Sequence, residues 1–236
     1  MRINAQGMHY RELNELIHKA VTDGRKNIIL DNVNGQRYIA DGLSGDINVT
    51  VNGVPGNDLA AFMDGSSIVV NSNAQDGIGN TMNAGKIIIN GDAGDIVGHS
   101  MRGGKIFIKG NVGYRVGIHM KAYNSLYPVV IAGGSAGDFL GEYMAGGLII
   151  VLGSVGNYIG TGMHGGAIYI QDRVEKYQLG KEVEAIKLNG NKLGEIEEYL
   201  EEYCGNFNLS LEDVKKRRFV KLTPHSSRPY GRLYAY

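Results

Sequence analysis

The sequence predicts an all-β core: a right-handed parallel β-helix, one solenoid of 19-residue coils, with small α/β caps at both ends. Three observations carry that expectation. Met63, Met82, Met101, Met120, Met144 and Met163 fall 19 residues apart, with a single gap of 24 between Met120 and Met144. Counted from each Met, position +5 holds Ile68, Ile87, Ile106, Ile149 and Ile168, and position +7 holds Val70, Ile89, Ile108, Val151 and Ile170. The 36 glycines, about twice the usual share of roughly 7%, recur in phase at +3, +9, +12 and +16, as in Gly104, Gly110, Gly113 and Gly117. A fixed period near 20 residues with one apolar signature means a stacked repeat.

The irregular gap supports the pattern. If Lys121 to Ser125 form an insertion, Gly134, Gly137 and Gly141 fall back onto +9, +12 and +16. An earlier unit beginning at Ser44 also fits, through Val49, Val51, Gly53, Gly56 and Leu59. Each unit carries one short strand, such as Ile87-Ile88-Ile89, whose alternate side chains point to one side. Several glycines per unit, each costing a helix roughly 1 kcal/mol relative to alanine, exclude a helical repeat. No unit can bury its apolar face alone. Stacking at about 4.8 Å pairs every strand with a neighbour above and below, and the usual hand of parallel crossovers makes the coil right-handed.

Three segments follow from this: an N-terminal cap over 1–43, the β-helix over 44–173 and a charged cap and tail over 174–236. In the first, Leu13, Leu16, Ile17, Ala20 and Val21 lie at helical spacing, which predicts a helix from His9 to Asp23 closed by Gly24. Asn27 to Val33 and Gln36 to Ala40 read as two strands of a hairpin turning at Asn34-Gly35. The array then makes six full coils and ends in a partial one from Met163 to Asp172, where Asp172 and Arg173 replace the glycine turn. Beyond it the expected elements are a strand at Val183–Leu188, a helix at Leu193–Tyr203 stopped by Gly205, a second helix starting at Ser210 and Asp213, and a strand at Phe219–Leu222 before Pro224. The tail from His225 to Tyr236 holds three tyrosines with His225, Arg228 and Arg232, a candidate cover for the last coil or a reach towards a partner.

Charge and composition exclude several functions. With 24 Lys+Arg against 24 Asp+Glu the net charge is zero, which disfavours a nucleic-acid binder and suits a surface resting on other proteins. The lone Cys204 makes no internal disulfide, Cys-based zinc site or iron–sulfur cluster. No apolar run approaches 18 residues and no signal sequence opens the chain, so a cytoplasmic location is expected.

Candidate sites are few. Position +13 holds Asn57, Asp76, Asp95, Asp138 and Asn157, interrupted by Tyr114. Stacked carboxylates can bind calcium, but Asx residues directly after a turn glycine are expected to bond local backbone and tolerate left-handed conformation. The Met column, a conceivable copper(I) ladder, is expected to be an internal stack of adaptable core side chains. His99, His119 and His164 come from positions +17, +18 and +1 and are expected to gather near one corner, more as turn histidines than as metal ligands. Glycine strings such as Gly91 to Gly98 superficially match a dinucleotide fingerprint, yet a strand and no helix follows. No residue is assigned a catalytic, cofactor-binding or metal-binding role. The insertion at Lys121 to Ser125, followed by Leu126-Tyr127-Pro128, is the first interaction candidate, since insertions in repeat arrays map to protruding loops.

Asn73-Ala74-Gln75-Asp76-Gly77-Ile78-Gly79, Ala84-Gly85-Lys86-Ile87 and the recurring Gly103-Gly104, Gly146-Gly147 and Gly165-Gly166 resemble the GXGXG domain, the C-terminal β-helix of the glutamate synthase large subunit. The likeness is close over Ser44 to Asp172 and reaches more weakly into Leu193–Tyr203 and Phe219–Pro224. It implies a domain that holds amidotransferase and FMN-binding synthase domains in place while carrying neither their nucleophile nor their FMN and iron–sulfur sites. The expected role is therefore a non-catalytic scaffold subunit with amidotransferase and FMN-synthase partners, resembling the separate third subunit of split glutamate synthases. A formylmethanofuran-dehydrogenase-like complex, whose C-type subunit is similar to the same β-helix, is the alternative, and a stand-alone binding module a third.

Overall fold

The computed structural model describes residues 1–188 and 193–227. It opens with β1 (Arg2–Asn4), α1 (Tyr10–Thr22) and β2 (Asn27–Asn34). One strand per coil follows: β3 (Asn48–Val54), β4 (Asp64–Val70), β5 (Ala84–Ile89), β6 (Gly104–Ile108), β7 (Pro128–Ala132), β8 (Ala145–Val151) and β9 (Gly165–Ile170). β10 (Val183–Leu188), α2 (Glu197–Phe207), α3 (Leu211–Lys215) and β11 (Phe219–Pro224) complete it. The strands form one sheet in the order β1 to β9, then β11, then β10. Every pairing from β1 to β9 is parallel, which makes the array a β-solenoid.

The coils stack in the register the sequence repeats. Ile68 pairs with Ile87, Ile87 with Ile106, Ile106 with Val130, Val130 with Ile149 and Ile149 with Ile168. These residues, the +7 column and the Met column are completely buried. The Met ladder is thus core. Two further interior columns close the coil: Ala74, Ala93, Val112 and Ala136 at +11, where Ala74 bridges Ala93, Val112 bridges Ala136 and Ala136 bridges Val155, all parallel, and Ile78, Val97, Val116, Leu140 and Ile159 at +15. Burying each Ile, Val, Leu or Met of these columns stabilises by about 1.5–3 kcal/mol, gained only because neighbouring coils share the interior.

At the N-terminus α1 forms as expected. His9 is its N-cap, its ring accepting the Arg11 N–H, and Leu13, Ile17 and Ala20 pack onto the first coil. The hairpin does not form. β2 is taken on one side by β1 and on the other by β3, both parallel, so no edge is left for an antiparallel return. Gln36 instead accepts the Asn34 N–H and donates to the Ala5 and Met8 carbonyls, starting a coil turn. A local Asn-Gly turn preference yields to the burial of Ile28, Leu30 and Val33 in the shared interior.

At the other end the coil runs past Asp172. A 3₁₀ turn at Lys176–Gln178 brings Leu179 into a parallel bridge with Ile159, and the Gln178 side chain adds bonds to the Val155 and Gly156 carbonyls. β11 then runs antiparallel to β9, and β10 pairs antiparallel with β11. α2 begins and ends about a turn later than the sequence suggests. Leu193 and Ile196 are buried in the turn before it, Gly205 lies inside it, and Asn208 ends it in the left-handed conformation at φ 54°. The apolar pattern continues through Cys204 and Phe207, which hold the extra turn against the sheet. α3 is capped by the Ser210 hydroxyl, which accepts the Asp213 N–H. Of the C-terminal tail, Arg228, Arg232 and the tyrosines lie outside the described residues.

α2 lies on the outer face of the sheet. There the strands turn Phe107, Ile131, Ile150 and Tyr169 outward, and Leu200, Tyr203, Cys204 and Phe207 cover them in a second apolar cluster. The Tyr203 hydroxyl donates to the Ile108 carbonyl at 3.0 Å. Burial pushes that phenol's pKa far up, so it remains a donor. Glu202 on the same helix bridges Lys86 and Lys105 of two adjacent coils.

Candidate functional site

The side of the coil after the +13 position has an alternating backbone. Positions +14, +16 and +18 all take positive φ: Ile96, Gly98 and Ser100 in one coil, Arg115, Gly117 and His119 in the next, then Phe139, Gly141 and Tyr143. The +16 residue faces inward with no room for a side chain; a Cβ on Gly117 would sit 2.4 Å from Ile149 Cδ1. The +14 and +18 residues face out. A non-glycine residue there costs about 1–2 kcal/mol, and the stacked geometry over-determines it in coil after coil.

Those outward positions build an aromatic edge. His119 stacks on Tyr143 with centroids 5.2 Å apart and planes 9° apart, and Phe139 stacks on Tyr158 at 4.8 Å and 18°. These separations match the rung spacing, so aligned side chains of successive coils meet face to face. The Arg115 guanidinium lies 4.6 Å from the Phe139 ring centroid and pairs with the buried Glu142 carboxylate. Phe62, Tyr114, Tyr143 and Tyr158 each leave more than a third of their surface in solvent.

The histidine corner is partly assembled. His99 and His119 approach to 6.1 Å between centroids. Burial, with the charge of His119, lowers the His99 pKa against a smaller opposing pull from Asp58. His164 is not in this pair and bonds through Nδ1 with the Gly162 carbonyl at 3.2 Å. It belongs to the position just after the Met, where the chain turns into the next strand. Among the described residues no three His, Cys, Asp or Glu side chains converge as a metal site.

The Asx column is in the turn, but its bonds run between coils. Asp76 Oδ1 accepts the Asp95 N–H at 2.9 Å, Asp95 accepts the Tyr114 N–H at 2.8 Å, and Asp138 accepts the Asn157 N–H at 2.7 Å. The left-handed residue is the following one. A second such column at +10 was not evident from composition: Asn73, Asp92 and Asn111 accept the N–H of Asp92, Asn111 and Ser135. The insertion closes on itself through Tyr123 and Leu126, leaving Tyr123 and Tyr127 exposed beside the sheet. Burial, then Tyr199 and Glu195, raise the Tyr127 phenol. Cys204 is buried against the sheet, and burial raises its thiol pKa.

With this geometry the comparisons are specific. The model of the GXGXG motif family matches residues 20–225. This chain belongs to that family. The GXGXG chain is also 50% identical to an uncharacterized protein of Methanocaldococcus jannaschii over 249 aligned positions, covering 98% of this chain and 95% of the relative. Among solved structures it is similar to a chain of the formyltransferase/hydrolase complex of Methylorubrum extorquens, crystallised with methylofuran. That likeness has a TM-score of 0.64 at 19% identity and covers 92% of this chain and 89% of the other, and it is one of fold.

The aromatic edge went unread in the sequence, although its signal was present. Positions +14 and +18 carry Phe62, Phe139, Tyr143 and Tyr158 at fixed phase, where the flanking +12 and +16 positions are mostly glycine. No helix among the described residues is long and apolar enough to cross a membrane.

Proposed function

We propose that this chain is a non-catalytic scaffold subunit of a glutamate-synthase-type complex, holding an amidotransferase and an FMN-binding synthase subunit in register. The complex would release ammonia from glutamine and deliver it to a flavin-dependent reductive step on 2-oxoglutarate. FMN and iron–sulfur clusters would reside on the partners. The observation that carries this reading is how the polar side chains are used. Asx carboxylates accept backbone N–H groups of the next coil, Glu202 pins α2, and Glu142 pairs with Arg115. Groups suited to chemistry hold the solenoid together, while an aromatic edge faces solvent, as an interface would.

A second reading has its own support. The solved structure of similar fold comes from a formyltransferase/hydrolase complex, so a scaffold in a formylmethanofuran-dehydrogenase-like assembly is the alternative. Affinity purification of the tagged chain from its native extract, with mass spectrometry and an absorbance scan, separates them. An amidotransferase with a yellow flavoprotein supports the first reading. Formyl-transfer or molybdenum/tungsten-enzyme subunits move the assignment to the second. A colourless chain recovered alone overturns both.

A further inference from the structure

The far end of the solenoid carries a charged cleft that the scaffold architecture does not use. The antiparallel register of β10 and β11 places Lys187 opposite Val220 and Leu188 opposite Phe219, which brings Lys187 to the start of β11, beside Arg217 and Arg218. The last coil turn contributes Arg173 from the other wall. The resulting cleft has a volume of about 810 Å³.

Its charges are lopsided in a telling way. Arg173, Lys187, Arg217 and Arg218 are exposed, and none of them forms an ion pair among the described residues, although Lys86, Lys105, Arg115, Lys215 and Lys221 all do. The two carboxylates of the lining are engaged with backbone. Asp172 Oδ1 accepts the Arg173 N–H at 2.7 Å, and the Glu175 side chain caps the 3₁₀ turn by accepting the Gln178 N–H. Four cations without an ion pair among the described residues, and these two carboxylates, stand over an apolar floor of Val174, Leu188, Phe219 and Val220. In a chain of zero net charge this concentration is local: four cations against the two carboxylates Asp172 and Glu175 leave the cleft net positive.

We infer that this cleft docks an extended acidic segment of a partner protein. The inference rests on the scaffold reading for there being a partner. Charge complementarity selects the chemistry: an acidic chain meets arginine forks at the rim and apolar side chains at the centre, the usual arrangement of a protein interface. A small polyanion fits less well, because the cations are all solvent-exposed at the rim and spread around an open cleft. Among the described residues β10 is the last strand of the sheet, the kind of edge to which an extended chain adds. The tail of this chain is basic at Arg228 and Arg232 and does not complement the cleft.

The test uses the purified full chain and a fluorescein-labelled peptide of alternating glutamate and leucine, read by fluorescence anisotropy. The expected result is salt-sensitive binding that the double substitution R217E/R218E weakens by about ten-fold or more, while R25E, on the N-terminal cap, leaves it unchanged. Circular dichroism and melting temperature verify that R217E/R218E stays folded; R173E is the second variant, which must weaken binding as well. Equal loss with R25E, or inorganic tripolyphosphate displacing the peptide at equal or lower concentration, overturns the inference. Native co-purification keeps the two readings apart. If wild type and R217E/R218E recover the same partners, the cleft inference fails and the scaffold stands; if wild type recovers none, the scaffold reading fails.

Discussion

The outer face of the sheet is treated differently in its two halves. Over β6 to β9 the outward residues are Phe107, Ile131, Ile150 and Tyr169, all buried beneath α2. Over β2 to β4 the equivalent places hold Ile29, Thr50 and Val69, each half-buried, and outside the cluster that α2 covers among the described residues. Along this bare half a row of side-chain amides runs outward, Asn71 donating to Asn52 and Asn90 to Asn71. The inner face does not share this division. Val49, Ile68, Ile87, Ile106, Val130, Ile149 and Ile168 are equally buried. In a solenoid the inward columns specify the fold, and the outward columns are free to be specialised.

Substitutions can break or sharpen that contrast, and the largest effect is expected outside the coil. Phe107→Ala should cost about 3–5 kcal/mol, whereas Val69→Ala, at the corresponding bare position, should cost less than about 1 kcal/mol. Urea unfolding of both variants checks this, and a large cost at Val69 would mean that the bare half is covered. Inside the coil the halves should behave alike. Ile68→Ala and Ile106→Ala should each cost about 2–5 kcal/mol, and a marked difference in their unfolding midpoints would count against a uniform interior. Next comes Tyr203→Phe, which removes the hydroxyl bond to the Ile108 carbonyl and should cost about 1 kcal/mol, without altering α2 content by circular dichroism.

The smallest expected effect is at Glu202. Burial alone would raise its carboxyl pKa, but hydrogen bonds and charge from Lys105 and Lys86 overcome that and hold it below the ordinary 4.5. A depressed carboxyl stabilises the fold above its unfolded pKa and loses that contribution as pH falls through the lower folded value. Glu202→Gln should therefore lower the melting temperature slightly near neutrality, by under about 1 kcal/mol, and the gap from wild type should close in acid. A gap that persists unchanged at low pH would assign the loss to packing.

What the sequence made legible was whatever repeats within one coil. The Met, Ile and Val columns announced the interior, and Ser210 and His9 announced two helix starts. Asn34-Gly35 signals a hairpin that does not form, because a local turn preference is visible in the sequence while the competing partners, β1 and β3, are not. Gly205 reads as a helix end for the same reason: Phe207 holds the next turn only because Tyr203 and the sheet are there. The aromatic edge and the basic cleft depend on neighbours in other coils. Arg173 and Arg218 meet only because β11 doubles back against β9, and no spacing rule connects them.

One contact repeats from coil to coil. Four methionines reach the glycine at the opening of a later strand: Met82 Cε lies 2.5 Å from where a Cβ of Gly104 would be, Met144 Cε lies 2.5 Å from that of Gly166, and Met63 and Met120 approach Gly85 and Gly147 at 3.0 Å and 3.2 Å. Each of these coils is therefore cast in the mould of the one before it and serves as the mould for the one after. A duplicated or deleted coil would find matching surfaces above and below, whereas a part-coil would put a side chain where a glycine must be. The molecule's length is thus free to change in whole increments and resistant to change in fractions. The five residues at Lys121 to Ser125 loop out so that the strand register on either side is kept, with Pro128 standing where the other coils have their opening glycine.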